Sequence, residues 1–449
     1  MMLDNYNEEQ LNDGFAQRVL DLAGRQAEQA EIYAVSSQER PIFFEANQLK
    51  QAKAAQSHSV TLRVISKGHI GLASTSRLDT PQDLVDKALT LAPLGSRAFF
   101  DLPAESPKDD VPIYDPTIPE LSFERLVEIG RETINRVIAY NPAIVCTMEV
   151  NKYVARVVIL NSQGCRTSFR KTFLWVNLQA SLIQAGQVIE VFENDAWGRQ
   201  PLDYLALAER VVEKFKLAGQ SVEVPTKQMP VIFTPKGLSA TLLPPLQEAF
   251  NGELVWQELS ALAGMVGEQV FDSKLSLYDD GRIPFSPRAY PCDGEGVATQ
   301  RTPLLEQGVV KNFYYDLQTA ALAQTKSTGN GCRLPKQKPS PIPTATIFAT
   351  GETSYEKMLA DTQEGLIVDQ TLGAWAGYAE NGDFSAQVQL GYKVEHGEVV
   401  GRVKNTMVSG NLFDALANLA AVGDKSVWIS GAYKVPYLSF HSLAVAGDG

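Results

Sequence analysis

Histidine and cysteine are scarce along these 449 residues, four of each, and their spacing limits the chemistry the chain can support. Hydrolytic metal chemistry needs two imidazoles on one side of a helix, a glutamate beside one of them to activate water, and a third ligand from elsewhere. His58, His69, His396 and His441 contain no pair at that spacing, and all fall in strand or turn contexts. His58 and His69 can be drawn facing each other across a hairpin, but a structural or surface role suits them better. His396 precedes Gly397 in a tight turn, which accounts for it. Cys146, Cys165, Cys292 and Cys332 form no CxxC pair, the usage of a reduced, cytoplasmic protein. Cys332 is followed by Arg333, a neighbour able to lower a thiol pKa, with no candidate base nearby in sequence. No GxSxG nucleophile elbow is present. Gly294-Glu-Gly296 and Gly329-Asn-Gly331 lack the strand–loop–helix setting of a phosphate cradle and read as β-turns. Asp279-Asp280-Gly281 and Glu380–Asp383 lack the alternating ligands of an EF-hand and read as turns too.

The elements that must carry any site read as α+β. A net charge of −12 argues against phosphate-backbone binding as the main activity, and no apolar run reaches the ~20 residues that span a bilayer. The acidic, polar N-terminal segment is no signal peptide. In a first unit, residues 1–105, Leu11, Phe15, Val19, Leu20, Leu22 and Ala23 form a helical stripe. Strand-like runs follow at Glu31–Val35, Ile42–Glu45, Val60–Ile65 and Ile70–Ser74, then a helix entered through Thr80-Pro81. A second unit, residues 113–222, repeats the order. A helix capped by Ser122 precedes runs at Val145–Val150, Val154–Asn161, Phe173–Ile183 and Val188–Glu193, and a helix over about Leu202–Ala218 closes it. Helix, four-strand meander, helix thus occurs twice, predicting two duplicated lobes joined by the proline-rich Pro103–Pro119 linker.

A third unit, residues 226–449, is β-rich. Met229–Phe233 reads as a strand and Lys236–Phe250 as a helix broken at Pro244-Pro245. Short strands follow at Val309–Tyr314, Thr346–Ala349, Leu366–Asp369, Ala386–Tyr392 and Val399–Val403, and Pro335–Pro343 reads as an exposed loop. Asn381-Gly382, His396-Gly397 and Gly410-Asn411 supply positions that tolerate positive φ. Short β segments of this kind leave strand edges that need covering, which argues for a dimer.

The order of the blocks Glu380–Ser385, Gly391–Glu398 and Thr406–Leu412, preceded by Ser327–Gly331, resembles the C-terminal domain of the TldD/TldE (PmbA) family. That family pairs a zinc peptidase subunit with a related subunit that has lost the metal. Gly308-Val-Val-Lys-Asn-Phe-Tyr-Tyr-Asp316 with Ala320-Ala321 matches the TldE (PmbA) branch, while Trp375–Ala379 and the close around His441 depart from it. In the peptidase subunits an HExxxH helix follows the first strand of the last domain, and a cysteine near the C terminus completes the ligands. The corresponding Val231–Phe250 has no histidine, and its Glu248 reads as a solvated carboxylate. Ser430-Gly431 stands where the peptidase carries Cys-Gly. The resemblance therefore implies a non-catalytic subunit with no cofactor of its own, zinc residing only in a TldD-type partner. It implies a cleft that this chain helps form for unfolded peptides, with Asn381, Gly382, Asp383 and Phe384 as candidate substrate-binding residues. It further implies a heterodimer, or a homodimer when the chain is alone, with no membrane or nucleic acid involved. The alternatives are a stand-alone peptide-binding or DNA-gyrase-modulating protein, and a hydrolase with an unrecognised site.

Overall fold

The computed structural model describes residues 13–184, 186–333, 337–373 and 381–447. Leu11, Trp375–Ala379 and Glu380 lie outside the described residues.

A strand forms where alternate residues can be sorted into two environments. In β1 (Gln29–Glu39), Ala30, Ile32 and Ala34 are buried in the cluster beneath the helices, while Tyr33, Val35 and Ser37 line a cavity on the opposite face. The chain breaks at Arg40-Pro41 and continues as β2 (Ile42–Glu45). It turns through Ala46-Asn47, both at positive φ, and returns as β3 (Gln48–Ala52) and β4 (Ala55–Ser66). A second turn at Lys67-Gly68, again at positive φ, leads into β5 (His69–Thr75). These paired positive-φ turns match the right-handed twist of the strands they join.

The second unit has the same plan with fewer breaks: β6 (Val145–Asn161), β7 (Arg166–Gln184) and β8 (Gln187–Trp197). Val145–Val150 and Val154–Asn161, expected as separate strands, are one strand. Asn151, which reads as a turn former, is buried and accepts a hydrogen bond from the Arg40 N–H, so it fills the break in the neighbouring strand instead of ending its own. Each unit therefore contains three antiparallel ranks rather than a four-strand meander. The units also share one eight-stranded sheet, because β6 pairs with β1 and β2 from Glu31↔Asn161 to Phe44↔Met148. Laying residues 29–45 on 145–161 makes Gln38 face its own counterpart, Val154, which puts a local twofold axis at that pair. Helices α1 (Asp13–Ala23) and α2 (Pro81–Leu91) cover the first unit. The short α3 (Thr117–Glu120) leads into α4 (Phe123–Tyr140), which with α5 (Tyr204–Leu217) covers the second. Ser122 caps α4 as expected, accepting from Arg125 N, whereas the Thr80 side chain makes no cap bond to α2. No helix among the described residues is long and apolar enough to cross a membrane.

After β9 (Ser221–Val222), the third unit opens with β10 (Lys227–Phe233), α6 (Pro235–Thr241) and α7 (Leu243–Ala249), the helix breaking at Leu242 just before Pro244-Pro245. Next come β11 (Leu277–Asp280), β12 (Arg301–Glu306), β13 (Val309–Val310), β14 (Gly331–Cys332), β15 (Ser340–Pro341) and β16 (Thr346–Phe348). The chain ends in β17 (Glu364–Leu372), β18 (Asp383–Glu395), β19 (Glu398–Val403), β20 (Thr406–Asn411), β21 (Leu419–Ile429) and β22 (Tyr433–Ala446). Pairing runs β22–β10–β17–β18–β20 and back to β22, so five strands close on themselves around Val231, Phe233, Val368, Phe384 and Phe440. Closure removes edges from these five strands, so the expectation of exposed edges fails there. The strand expected over Val309–Tyr314 shortens because Tyr314 bonds instead to the loop after α7, through Phe250 O and Gly252 N. Gly382, His396 and Gly397 take positive φ as expected. Gly410 does not; it stays in β20, and Asn411 caps the next helix by accepting from Phe413 and Asp414.

Gly130 of α4 lies against the Phe44 ring, and a Cβ there would overlap it. Gly130→Ala is expected to destabilise the fold by about 1–3 kcal/mol in urea unfolding, the cost of overpacking a filled core. Combining it with Phe44→Leu should recover part of that loss, whereas simple additivity of the two changes would refute the contact.

Candidate functional site

The sheet face away from the helices is where the N-terminal half meets the third unit. A cavity of about 480 Å³ lies between them. β1 and β4 form one wall through Tyr33, Ser37, Ser57, Ser59 and Thr61; loops carrying Tyr290, Cys292, Asn330, Arg333 and Thr344 form the other. One end is sealed by buried charge. Glu31 and Arg63 are cross-strand partners in β1 and β4. Arg63 Nη2 lies 2.9 Å from Glu31, and its Nη1 lies 2.5 Å from Glu295 Oε1, with both side chains 3% exposed or less. Arg333 joins the group by pairing with Glu31, and its Nε donates to Gly294 O at 2.7 Å.

The glycine loops that read as plain turns position these charges. Gly294 and Gly296 flank Glu295, and Gly296 takes φ +78° with Cys165 packed where a Cβ would sit. Gly329 takes φ +74°, hard against the backbone of Ala298. Asn330 donates to Asp279 Oδ2, and Thr344 donates to the same carboxylate through both its N–H and its hydroxyl. Asp279 is thus a structural acceptor, and burial pushes its carboxyl up to about 6 against those donors. Of the proline-rich 335–343 segment, expected to be exposed, residues 335 and 336 lie outside the described residues and the rest is partly inside: Pro339 and Pro341 are buried, and Pro343 lines the cavity. Cys332 also lines it, but burial raises its thiol pKa, while Arg333 is turned toward Glu31 and Gly294. An activated thiolate is therefore not formed.

A second buried ionic group fixes α6. Glu193 of β8 meets Lys214 of α5 at 2.5 Å, Lys236 of α6 at 3.1 Å and Arg210 at 3.3 Å; Lys214 also reaches Asp369 of β17 at 2.6 Å. Burial alone would raise Glu193, but Lys214, Lys236 and Arg210 outweigh it and hold the carboxyl at about 2. Burial lowers Lys236 to about 8, with Glu193 partly offsetting it.

The segment where a zinc helix would lie is unsuited to the metal. Leu243, Leu246 and Ala249 of α7 are buried in the apolar core, Glu248 is exposed, and there is no imidazole between residues 231 and 250. Ser430, where a sulfur ligand would be needed, sits at φ +52° and accepts from Asn194 Nδ2 at 2.8 Å. No group of three His, Cys, Asp or Glu side chains suited to a metal occurs among the described residues. The histidines stay apart: His58 bonds Ser76 O and His69 bonds Lys67 O, so they do not face each other across the β4–β5 hairpin. Of the candidate substrate residues, Phe384 is in the core of the closed ring and Gly382 packs against the Phe413 ring. The Asn381 carbonyl and the Asp383 carboxylate both accept from the Asn411 side chain. None of the four lines the cavity.

The α+β half and β-rich third unit together define a metallopeptidase-like family architecture. Residues 30–92 match the model for PmbA/TldA metallopeptidase domain 1, and residues 226–447 match the PmbA/TldA metallopeptidase C-terminal domain. The chain belongs to the TldD/TldE (PmbA) family. The crystal structure of TldE from Thermococcus kodakarensis superposes with a TM-score of 0.88 at 25% identity, over 96% of this chain and 100% of that one. An uncharacterised protein of Methanocaldococcus jannaschii is 26% identical over 91% of this chain and 94% of its own length. A metalloprotease of Methanothermobacter thermautotrophicus is 22% identical over 90% of each chain.

Two expectations follow. Dialysed against a mild chelator, the purified chain should retain well under one zinc per chain by elemental analysis; near-stoichiometric retention would contradict the reading of α7 and Ser430. Glu193→Gln should cost about 3–5 kcal/mol at neutral pH, because it leaves buried ammonium groups without their counter-charge. The folded pKa of Glu193 is depressed, so its contribution is present above the unfolded value and lost as pH falls from about 4.5 toward about 2. Wild-type and variant unfolding curves should converge across that window, and a constant gap would place the stabilisation elsewhere.

Proposed function

We propose that this chain is the metal-free, TldE/PmbA-like subunit of a TldD–TldE type metallopeptidase, acting in the cytoplasm on unfolded peptides. The observation that carries the proposal is a family fold whose zinc position has been replaced by buried apolar residues, a proline pair and a hydrogen-bonded serine. Losing the ligands leaves the ionic groups and both cores intact, so the subunit keeps its shape and its ability to wall a cleft. Four free cysteines with no disulfide suit a reducing compartment. In this reading residues 1–105 and 113–222 are the duplicated lobes. Residues 226–449 form the domain that docks on a zinc-bearing TldD-type partner, or on a second copy when the chain is purified alone. Within the candidate segment Asn381–Phe384, the exposed Asn381 and Asp383 are assigned to peptide contact at the partner-facing rim, with Gly382 and Phe384 anchoring the turn from inside.

Mixing this chain with an HExxxH-bearing paralogue should give one co-eluting species that cleaves unstructured peptides, while this chain alone stays inert. Replacing a zinc-ligand histidine of the partner should abolish cleavage and leave the complex intact. Metal-independent cleavage by this chain alone would favour a hydrolase of its own. Failure to co-elute would favour a stand-alone binding module.

A further inference from the structure

We propose that a second cavity, between β5 and the loops of the third unit, binds an alkylammonium group, carried by a lysine side chain or a free aliphatic amine, with Asp316 as its counter-charge. Its volume is about 280 Å³, room for one long side chain rather than a drug-sized ligand. Ile70, Leu72, Phe99, Phe100, Trp256 and Leu322 make apolar walls. Phe99 and Trp256 are 53% and 46% exposed and mark the rim, whereas Arg63, Glu295 and Asp316 are buried and form the floor.

Asp316 is 3% exposed and caps the short helix α9 (Leu317–Leu322). Its Oδ1 accepts from both the N–H and the hydroxyl of Thr319, each at 2.7 Å. Its Oδ2 receives no donor among the described residues, yet unlike the Glu31 oxygens it is not sealed off from every probe of solvent size. Its open side is the cavity. A carboxylate oxygen so deeply placed is costly without a donor.

The donors nearby are committed elsewhere. Arg63 is shared by Glu31 and Glu295, and the Leu317 N–H goes to the second Glu295 oxygen. Gln318 spans the rim, accepting from the Phe99 N–H and donating to Arg97 O. Lys338 pairs with Glu253 at 2.8 Å, and the exposed Arg97 guanidinium lies over the Phe99 ring, in water that screens it. At the floor and behind it, Glu31, Glu295 and Asp316 face Arg63 and Arg333, one negative charge more than positive. Asp293, beside Glu295, does not reverse that balance: burial and the charge of Glu295 push its carboxyl well above the usual range, toward the neutral form.

An aliphatic amine supplies what is missing. Its ammonium brings donors and opposite charge to Asp316 Oδ2, while its methylene stem lies along the apolar walls. Arg63 already lies over the Phe100 ring and Arg97 over Phe99, but among the described residues no cation lies over Trp256, which leaves that ring for the incoming one. Burial, and after it the charge of Glu295, raises the Asp316 carboxyl to about 6, so it is ionised at neutral pH and loses its charge in mild acid. None of this depends on the peptidase role proposed above.

Calorimetry on the full-length chain, without any partner, tests this with Nα-acetyl-lysine methylamide, its norleucine analogue and n-pentylamine. The norleucine compound keeps the stem and lacks the ammonium, so it should bind at least about tenfold more weakly than the lysine compound. Pentylamine binding as tightly as the lysine compound identifies a free amine as the source; weaker pentylamine binding identifies a lysine carried on a peptide. Affinity should fall as pH is lowered through about 6, because Asp316 gains a proton while the ligand stays cationic. Asp316→Asn keeps an oxygen for the α9 cap and should lose both the binding and its pH dependence. Leu322→Trp fills the cavity from α9 without touching the carboxylate, and should lose binding while the chain still unfolds cooperatively. Equal binding of the lysine and norleucine compounds overturns the proposal. So does an affinity that is flat across that pH range, binding that survives either variant, or no binding by folded wild-type chain. Because no partner and no cleavage enter the measurement, its failure is distinct from failure of the co-elution experiment.

Discussion

Charge buried at the seam between the N-terminal sheet and the third unit sets the geometry of everything around it. An ionised group far from water is tolerated only with counter-charge and hydrogen bonds in place, so each member fixes the position of the next. Glu31 and Arg63 belong to adjacent strands, while Glu295 and Arg333 arrive on glycine loops from more than two hundred residues away. Such a group need not add net stability over an apolar replacement of the same volume. What it imposes is register: sliding the sheet against the loops by one residue would leave at least one of these charges alone in a low-dielectric interior.

That register is useful because the two halves are rigid for different reasons. The N-terminal sheet is built from two similar units paired across a local twofold axis, with helices covering one face. The third unit closes five strands into a ring with an apolar interior. The Glu193 group joins them again at α6, where β8, α5 and β17 converge. The two ionic groups hold the halves in a fixed relation, and the cavity lies beside the first of them. A segment 231–250 without histidine is therefore compatible with an intact fold, and the TldE structure superposes over 96% of this chain.

Much of this was legible in the residues. Periodicity located the main helices and most strands, and Pro244-Pro245 marked the break between α6 and α7. The missing imidazoles and the Ser430-Gly431 pair could be read directly. The seam was not foreseen: alternation puts Glu31 and Arg63 on the strand face opposite Ala30, Ile32, Leu62 and Val64, where a charged side chain ordinarily meets water. Their partners gave no sign, because Gly294-Glu-Gly296 and Cys332-Arg333 look like surface turns until the fold places them against β1 and β4. The gap left between Val150 and Val154 has a related cause, since Asn151, a polar residue that satisfies a neighbour's broken ladder, looks the same in sequence as one that ends a strand.

The sequence by itself determined what is local or compositional: the α+β class, the order of elements, the turns with positive φ, and the absence of a histidine pair able to hold zinc. Only the tertiary structure decided that the two N-terminal units share one sheet, that the third unit closes on itself, and that four distant charges meet at the edge of a cavity. The physical reason is that strand pairing and ion pairing are long-range contacts, selected by burial and register across the whole molecule. Periodicity reports which face of a strand is buried and leaves open what buries it.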